Sequence, residues 1–363
     1  MTITIEEAIK IVLITFLCSA ILVPIIKKMA LFIGAVDVPN QRKVHKGLIP
    51  RLGGLGIFFA FLLGYMMFSR QSIEMISILI GSFIVIITGV IDDIKPLPPK
   101  YKFAGQLIAA CVVVFYGGII LNEISAFGFY IQFNDIVAKV LTVGFILGCI
   151  NAINLIDGLD GLAGGISAIY FLTIGIIAML MGHTAGLDVS LTFIMLGSTL
   201  GFLIHNFYPA KIFMGDSGSM FLGFIISVIA LLGFKNVTLT SFIVPLFVLA
   251  IPILDTLFAI IRRTLKGQKI SEPDRNHLHH QLLNLRFSHR TTVILIYIMD
   301  ILFASASIVY ILKGAFIGKI IYGILLIIII WFVTCTDIIT TKRPLKDGVN
   351  KIKEKVRKKK KKD

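Results

Sequence analysis

The chain has 363 residues, of which 57% are hydrophobic, and a formal net charge of +15. Its mean hydropathy of +0.94 excludes an ordinary soluble globular protein. Apolar runs without charges, each close to the ~20 residues that cross the hydrocarbon layer of a bilayer, recur along the chain. These properties predict an all-α integral membrane protein.

Eleven apolar runs are predicted to span the membrane. In chain order they cover about residues 8–28, 52–69, 73–91, 103–121, 137–156, 161–181, 189–206, 217–234, 241–261, 292–312 and 320–336. They define a polytopic domain, residues 1–336, and leave a lysine-rich tail, residues 337–363. We expect the tail to be disordered and to lie near anionic lipid head groups. We expect no nucleic-acid binding, because no aromatic residue or folded module accompanies these lysines.

The distribution of Lys and Arg predicts an N-terminus outside and a C-terminus in the cytoplasm. In this orientation only six of the 35 basic residues face outward: Lys10, Arg70, Lys139, Lys235, Lys313 and Lys319. The predicted cytoplasmic loops cover about residues 29–51, 92–102, 157–160, 207–216 and 262–290. Every motif described below falls on that face. Charged residues at bilayer depth are costly to insert, so carboxylates among apolar runs usually mark a functional site.

Asp92 and Asp93 close the third predicted span, and the prolines that follow them end its helix. Two carboxylates at a helix C-terminus repel each other and the negative end of the helix dipole. They therefore favour a metal ion or a cationic partner. The alternative is a charged stop after a span, paired with Lys95 or Lys102.

Four polar residues are spaced three positions apart at the end of the fifth predicted span: Asn151, Asn154, Asp157 and Asp160. If this segment is helical, the four side chains form one polar stripe. Such a stripe suits hydrogen bonds to a polar ligand and coordination of a hard cation. A polar seam between helices is the alternative, although a seam rarely needs two carboxylates.

Asp216 lies in the sequence Met214-Gly-Asp-Ser-Gly-Ser219, at the start of the eighth predicted span. Asp or Ser before an apolar helix is often an N-cap. A helix N-terminus in a glycine-serine loop also binds phosphates, and a carboxylate there favours a metal ion that bridges it to the phosphate. The motif alone leaves both interpretations open.

Three histidines, His277, His279 and His280, lie in the last long cytoplasmic loop, downstream of Arg262 and Arg263. Such a cluster can bind zinc, but no cysteine is near. Basic and imidazole groups next to an acidic, metal-binding surface are more typical of a diphosphate site.

In these motifs the chain closely resembles the polyprenyl-phosphate N-acetylhexosamine-1-phosphate transferases, membrane enzymes of bacterial envelope synthesis. The resemblance covers about residues 35–290 and rests on the stretches 42–45, 50–54, 90–93, 100–103, 151–165, 206–219, 252–263 and 273–280. The last stretch reads His277-Leu-His-His280, which is similar to the branch that uses UDP-GlcNAc. The branch that transfers phospho-MurNAc-pentapeptide has three consecutive histidines instead.

The resemblance implies a reaction in which undecaprenyl phosphate attacks the sugar-linked phosphorus of UDP-GlcNAc and releases UMP. Mg²⁺ is the implied cofactor, with Mn²⁺ as an alternative, and we favour direct attack over a covalent phospho-enzyme. The product would be the first lipid-linked intermediate of a glycopolymer such as teichoic acid or O-antigen. Another UDP-N-acetyl sugar or UDP-MurNAc-pentapeptide is an alternative donor. The implied location is the bacterial cytoplasmic membrane, with the active site on the cytoplasmic face, and a homodimer is left open.

The resemblance also implies roles for individual residues. Those implied in catalysis are Asp92, Asp93, Asp216 and His279. Among them, Asp93 and Asp216 would lie near the metal ion, and Asp92 would orient the lipid phosphate or accept its proton. The residues implied in substrate binding are His45, Lys102, Asn154, Asp157, Asp160, Ser219, Arg262, Arg263, His277 and His280.

A cation-coupled secondary transporter is the alternative from another functional class. Many spans, carboxylates near the membrane and glycine breaks fit that class too. However, the carboxylates cluster at predicted helix ends instead of the bilayer midplane, and the sequence has no visible internal duplication. We therefore favour the enzyme.

Overall fold

The computed structural model describes residues 2–37, 48–126, 129–235, 243–265, 267–268, 277–313 and 315–335. Over these ranges the chain is a bundle of helices. Their bounds are α1 (Ile5–Ile33), α2 (Gly54–Phe68), α3 (Ile73–Ile94), α4 (Pro99–Cys111), α5 (Asp135–Ile156), α6 (Leu162–Leu180), α7 (Leu187–Asn206), α8 (Gly215–Lys235), α9 (Ile243–Val248), α10 (Ala250–Leu265), α11 (Leu278–Asn284), α12 (His289–Lys313) and α13 (Ala315–Cys335). A π-helical turn, Val112–Tyr116, extends α4.

Two short antiparallel ribbons accompany the helices, and the sequence analysis did not predict them. In the first, β1 (Val36–Asp37) pairs with β2 (Ile49–Pro50). In the second, β3 (Glu123–Ala126) pairs with β4 (Phe129–Gln132). Strands this short carry too little alternation of apolar and polar residues to be recognised from sequence.

The predicted fold class, a helical membrane protein, is confirmed. Within the described ranges, seven helices are long and apolar enough to cross a membrane: α1, α3, α5, α6, α7, α8 and α12. Each of the eleven predicted spans overlaps one helix, except that the fourth overlaps α4 with its π-helical turn and the ninth overlaps the pair α9 and α10. The number of crossings and the orientation of the termini stay predictions. His45 and the tail, residues 337–363, lie outside the described residues.

Helix α8 lies at the centre of the bundle and packs against α2, α3, α5, α6 and α7. Small residues allow these helices to approach closely. A Cβ atom on Gly54 of α2 would overlap the backbone of Gly218, and a Cβ atom on Gly89 of α3 would overlap that of Ser217. The first turn of α8 is therefore held between α2 and α3, and this packing positions Asp216.

The segment after β2 runs beside the segment before α8. Phe213 donates a backbone hydrogen bond to the carbonyl of Pro50 (2.8 Å), and Gly53 donates one to the carbonyl of Phe213 (2.9 Å). Gly54 likewise donates to the carbonyl of Met214 (2.9 Å). This pairing brings the loop between β2 and α2 against the start of α8.

The predicted polar stripe at the end of α5 is only partly helical. Helix α5 ends at Ile156, Asp157 is its C-cap, and Asp160 lies in the connection to α6. Gly161 has a φ of 79°, a left-handed conformation that favours glycine, and it turns the chain into α6. Only Asn151 and Asn154 of the four residues are therefore on the helix.

Candidate active site

The Asp93 carboxylate, at the end of α3, caps the N-terminus of α8. Its Oδ1 atom accepts a hydrogen bond from the backbone amide of Asp216 (2.8 Å). Its Oδ2 atom accepts hydrogen bonds from the amide (3.1 Å) and the hydroxyl (2.7 Å) of Ser217. A helix N-terminus has free N–H groups and a partial positive charge, and a carboxylate satisfies both. Asp93 therefore joins α3 to α8 and orients the helix that carries Asp216.

Two cations lie on either side of Asp216. The Lys102 Nζ atom forms an ion pair with Asp216 and lies 3.4 Å from Oδ2 of Asp92. On the other side, the Arg51 guanidinium lies 3.9 Å from Asp216 and 3.7 Å from Asp93. The end of α3, the starts of α4 and α8 and the segment before α2 thus meet in one network of opposite charges. Because these side chains are largely buried, the salt of the medium screens their interactions only weakly.

A cavity of about 630 Å³ opens beside Asp216. This volume is in the range of small-molecule binding sites. The wall includes four carboxylates and three basic or imidazole groups: Asp37, Asp157, Asp160, Asp216, Arg51, His280 and His289. Amide and aromatic groups complete it, among them Asn154, Asn206, Tyr208 and Phe213. Mixed charge and apolar surface in one cavity suits a ligand that has both phosphate and ring groups.

Burial raises the pKa of Asp157 to about 7. The nearby Asp93 carboxylate raises this pKa further, whereas Arg51 opposes the shift. Since Asp157 lines the cavity, it is a carboxyl group that can exchange a proton or gain a cation near neutral pH.

Asn154 and Ser219 connect α5 to the first turn of α8. The Asn154 Nδ2 atom donates a hydrogen bond to Ser219 Oγ (2.9 Å), which donates to the carbonyl of Gly215 (3.1 Å). Asn154 lines the cavity, and Ser219 is buried behind it. Ser219 therefore orients Asn154 in this arrangement.

The histidine cluster divides between a structural and a cavity-facing part. His277 Nδ1 lies 2.8 Å from Asp255 Oδ2 of α10, and the other Asp255 oxygen accepts the amide of Leu278 (2.8 Å). The His279 ring packs against the backbone of Gly158. Burial lowers the pKa of His279 to about 3, and His280 adds to this effect, so His279 is neutral at physiological pH. His280 lines the cavity.

The structure brings most of the predicted site residues to one end of the bundle. Those that line the cavity are Asn154, Asp157, Asp160, Asp216 and His280. Those that reach it through a neighbour are Asp92, Asp93, Lys102, Ser219 and His279. Arg262 and Arg263 are buried at the end of α10, and neither they nor His277 line the cavity.

Several cavity residues were not predicted from sequence as site residues: Asp37, Arg51, Asn206, Tyr208 and His289. Arg51 lies in the motif 50–54, but the positive-inside rule accounted for its charge. His289 has no neighbouring motif, and nothing in the sequence signals its contact with Asp160.

The side chains near Asp93 and Asp216 fit a metal ion only in part. Among these, no group of three or more His, Cys, Asp or Glu side chains is arranged to hold a metal ion. Mg²⁺ at phosphate sites usually takes only one or two carboxylates, with phosphate and water oxygens as its other ligands. Asp216 fits this pattern, and Lys102 provides a positive charge at its carboxylate. Both Asp93 oxygens already accept hydrogen bonds from α8, and a metal ion at Asp93 and Asp216 stays a prediction.

In this helical membrane bundle, a cavity at the helix ends is lined with carboxylates and cations. Such an arrangement is typical of a membrane enzyme that acts on a phosphorylated substrate. The sequence profile of glycosyl transferase family 4 matches residues 75–234 of this chain. The chain belongs to this family.

Curated relatives agree with this assignment. The chain is 44% identical over 336 residues to a probable undecaprenyl-phosphate N-acetylglucosaminyl 1-phosphate transferase of Bacillus subtilis. This match covers 89% of this chain and 91% of the relative. It is 33% identical to the decaprenyl-phosphate N-acetylglucosaminephosphotransferase of Mycolicibacterium smegmatis, over 78% of each chain. It is 29% identical to the undecaprenyl-phosphate alpha-N-acetylglucosaminyl 1-phosphate transferase of Yersinia pestis, over 81% of this chain and 82% of the relative. The resemblance inferred from the sequence motifs, including its branch, is confirmed.

Proposed function

We propose that this protein transfers GlcNAc-1-phosphate from UDP-GlcNAc to undecaprenyl phosphate. The products are undecaprenyl-diphospho-GlcNAc and UMP. The observation that carries the proposal is the 44% identity, over 89% of the chain, to a relative with that activity in its name. The mixed acidic and basic cavity beside Asp216 agrees with a nucleotide-sugar donor.

In the proposed reaction, a phosphate oxygen of the lipid attacks the phosphorus that is bonded to the sugar. The bond between that phosphorus and the bridging oxygen breaks, and the electrons leave with UMP. Asp92 orients the lipid phosphate or accepts its proton, and Lys102 lies beside it as a counter-cation (3.4 Å). Lys102 and Arg51 offset negative charge on the transferring group. Asn154, Asp157 and Asp160 contact the nucleotide and sugar, and neutral His279 packs behind Gly158 and supports that wall.

Mg²⁺ is the proposed cofactor, held by Asp216 with Asp93 behind it, and it would neutralise charge that develops on the diphosphate. The hydrogen bond from the backbone amide of Asp216 to Asp93 would hold Asp216 in position beside such an ion. Asp157 provides a further hard oxygen on the same cavity wall.

We also propose that the cavity faces the cytoplasm of a bacterial cell and that the reaction is the first membrane step of an envelope glycopolymer. The support for this orientation is the distribution of Lys and Arg. The basic tail, residues 337–363, would then contact anionic lipid head groups on the same face.

The test is release of UMP from UDP-GlcNAc by the purified full-length protein in detergent with undecaprenyl phosphate. We expect UMP only when lipid and Mg²⁺ are both present, and none after chelation with EDTA. Asp216→Asn should abolish release. Asp135→Asn is the matched control because Asp135 is exposed at the opposite end of α5 and should leave the rate unchanged.

Other outcomes separate the alternatives. Release from another UDP-sugar but not from UDP-GlcNAc would keep the chemistry and change the donor. Release that does not require a divalent cation would refute the proposed cofactor. Uptake of a solute into proteoliposomes, with no UMP from any donor, would favour the transporter.

A further inference from the structure

We propose that His289 and Tyr297 of α12 are positioning residues that hold the connection 157–161 in the shape required for donor binding. Neither residue was predicted from the sequence, and both lie outside the family match at residues 75–234. The inference rests on the proposed function for its kinetic test, but its structural basis is independent of the donor.

The connection 157–161 lies between α5 and α6. Its local backbone bonds include those from Gly158 to the carbonyl of Ile156 (2.8 Å) and from Gly165 to the carbonyl of Gly161 (2.8 Å), whereas the amides of Asp160 and Gly161 bond to side chains. Asp157 and Asp160, at its two ends, both line the cavity. A loop with free backbone groups can change conformation easily unless side chains satisfy those groups. The positions of both carboxylates therefore depend on what holds the peptide groups around Gly161.

His289 holds the first of these peptide groups. Its Nε2 atom accepts a hydrogen bond from the backbone amide of Asp160 (2.9 Å). An imidazole nitrogen that accepts a hydrogen bond carries no proton, so the neutral ring has its proton on Nδ1. The ring of Tyr208 stacks on His289, with 4.7 Å between ring centroids, and fixes its orientation.

Tyr297 holds the second peptide group, from the same helix. Its hydroxyl donates a hydrogen bond to the carbonyl of Gly161 (2.5 Å). The phenol packs so closely against Gly165 in the first turn of α6 that a Cβ atom there would overlap it. The contact is therefore specific to a glycine at 165 and a tyrosine at 297.

Asn206, at the end of α7, completes the set of bonds. Its Oδ1 atom accepts the backbone amide of Gly161 (3.0 Å), and its Nδ2 atom donates to the carbonyl of Ile212 (2.9 Å). The Asp160 carboxylate in turn accepts the amide of Ala210 (2.9 Å). Side chains from α7 and α12 thus bind three backbone groups of Asp160 and Gly161, and a shift of α12 would move the cavity wall.

The experiment compares Tyr297→Phe with Tyr322→Phe in the full-length protein. Both changes remove one hydrogen-bonded hydroxyl. The Tyr322 hydroxyl donates to Ser307 Oγ (2.8 Å) at a helix contact that does not line the cavity. We expect Tyr297→Phe to raise the KM for UDP-GlcNAc about fivefold and to change kcat less than twofold, as for lost uniform binding. Tyr322→Phe should leave both constants unchanged. Equal KM values for the two variants would overturn the inference.

A second pair of variants tests His289 by the same logic. His289→Gln retains a side-chain acceptor, whereas His289→Leu retains only bulk. We expect the glutamine variant to keep a KM within about twofold of the wild type and the leucine variant to raise it at least fivefold. Equal KM values for the two variants would show that His289 acts through packing alone, and would overturn its role as a hydrogen-bond acceptor.

Amide hydrogen exchange provides a readout that needs no substrate. Peptides that cover residues 157–161 should exchange faster in Tyr297→Phe than in the wild type or in Tyr322→Phe. Unchanged exchange would refute the positioning role even if the protein were active. Faster exchange in Tyr297→Phe, combined with no UMP formation by the wild-type protein, would leave the positioning role standing and reject the proposed donor reaction.

Discussion

The Asp93 carboxylate should contribute more to the stability of the fold than any other acidic side chain described at the site. It accepts three hydrogen bonds from the first turn of α8 while also lying 3.7 Å from Arg51. The change Asp93→Asn tests this directly. The asparagine side chain has only one acceptor oxygen. Its NH₂ group must therefore face an N–H or O–H donor of Asp216 or Ser217.

The magnitude follows from these contacts. Loss of a hydrogen bond to a buried charged acceptor costs about 1.5–3 kcal/mol. Loss of the negative charge at a helix N-terminus adds about 0.3–1 kcal/mol. The expected destabilisation is therefore about 2–4 kcal/mol, which corresponds to a decrease in Tm of roughly 3–8 °C.

Thermal unfolding of the detergent-solubilised protein measures this decrease, and Asp300→Asn is the matched control. Asp300 is also a fully buried aspartate on a membrane helix, but neither of its carboxylate oxygens has a hydrogen-bond partner among the described residues. Removing its acidic group should leave Tm unchanged or raise it. The capping argument is refuted if Asp93→Asn unfolds at the wild-type temperature, or if both variants lose stability equally.

Three further predictions concern single residues. Asp92→Asn should reduce UMP release at least 100-fold with little change in Tm, and full turnover would exclude an acid–base role. His279 has a folded pKa of about 3 against an ordinary 6.5, so its contribution to stability is complete above pH 6.5 and declines as pH falls below it. Between pH 7 and pH 5 this loss of stability is about 2 kcal/mol. Over the same pH range, the Tm of His279→Gln should therefore decrease less than the Tm of the wild type. An equal decrease in both proteins would contradict the burial of a neutral ring. Arg286 has a φ of 67° immediately after α11, and Arg286→Gly should raise stability by about 0.5–1 kcal/mol; a lower Tm would show that its side chain matters more than the strained backbone.

Local patterns in the sequence predicted the helices and the carboxylate part of the site well. Apolar runs located the helices because a membrane helix needs a continuous apolar surface, and Asp92 and Asp93 marked the end of α3. The sequence predicted one polar stripe from Asn151 to Asp160 if the segment were helical. The helix ends at Ile156, because the glycines after it allow the chain to turn.

Contacts between distant segments could not be predicted in the same way. The role of Asp93 as a cap for α8 joins residues more than a hundred positions apart. The contact of Tyr297 with Gly161 likewise depends on the packing of α12 against α6. No local periodicity encodes such partners, so the residues appear in sequence as an ordinary carboxylate and an ordinary aromatic side chain.

The cap on α8 also has a consequence for assembly in the membrane. Helix α8 obtains the acceptor for its first turn from α3, and Asp216 obtains its counter-cations from the loop before α2 and from α4. A partly assembled chain, in which α3 and α8 have not yet met, lacks the correct helix start and the charge network together. Such an intermediate cannot present a complete site to its substrates. The packing of α8 and the formation of the charge network at Asp216 are therefore coupled, because both depend on the same contacts with neighbouring elements.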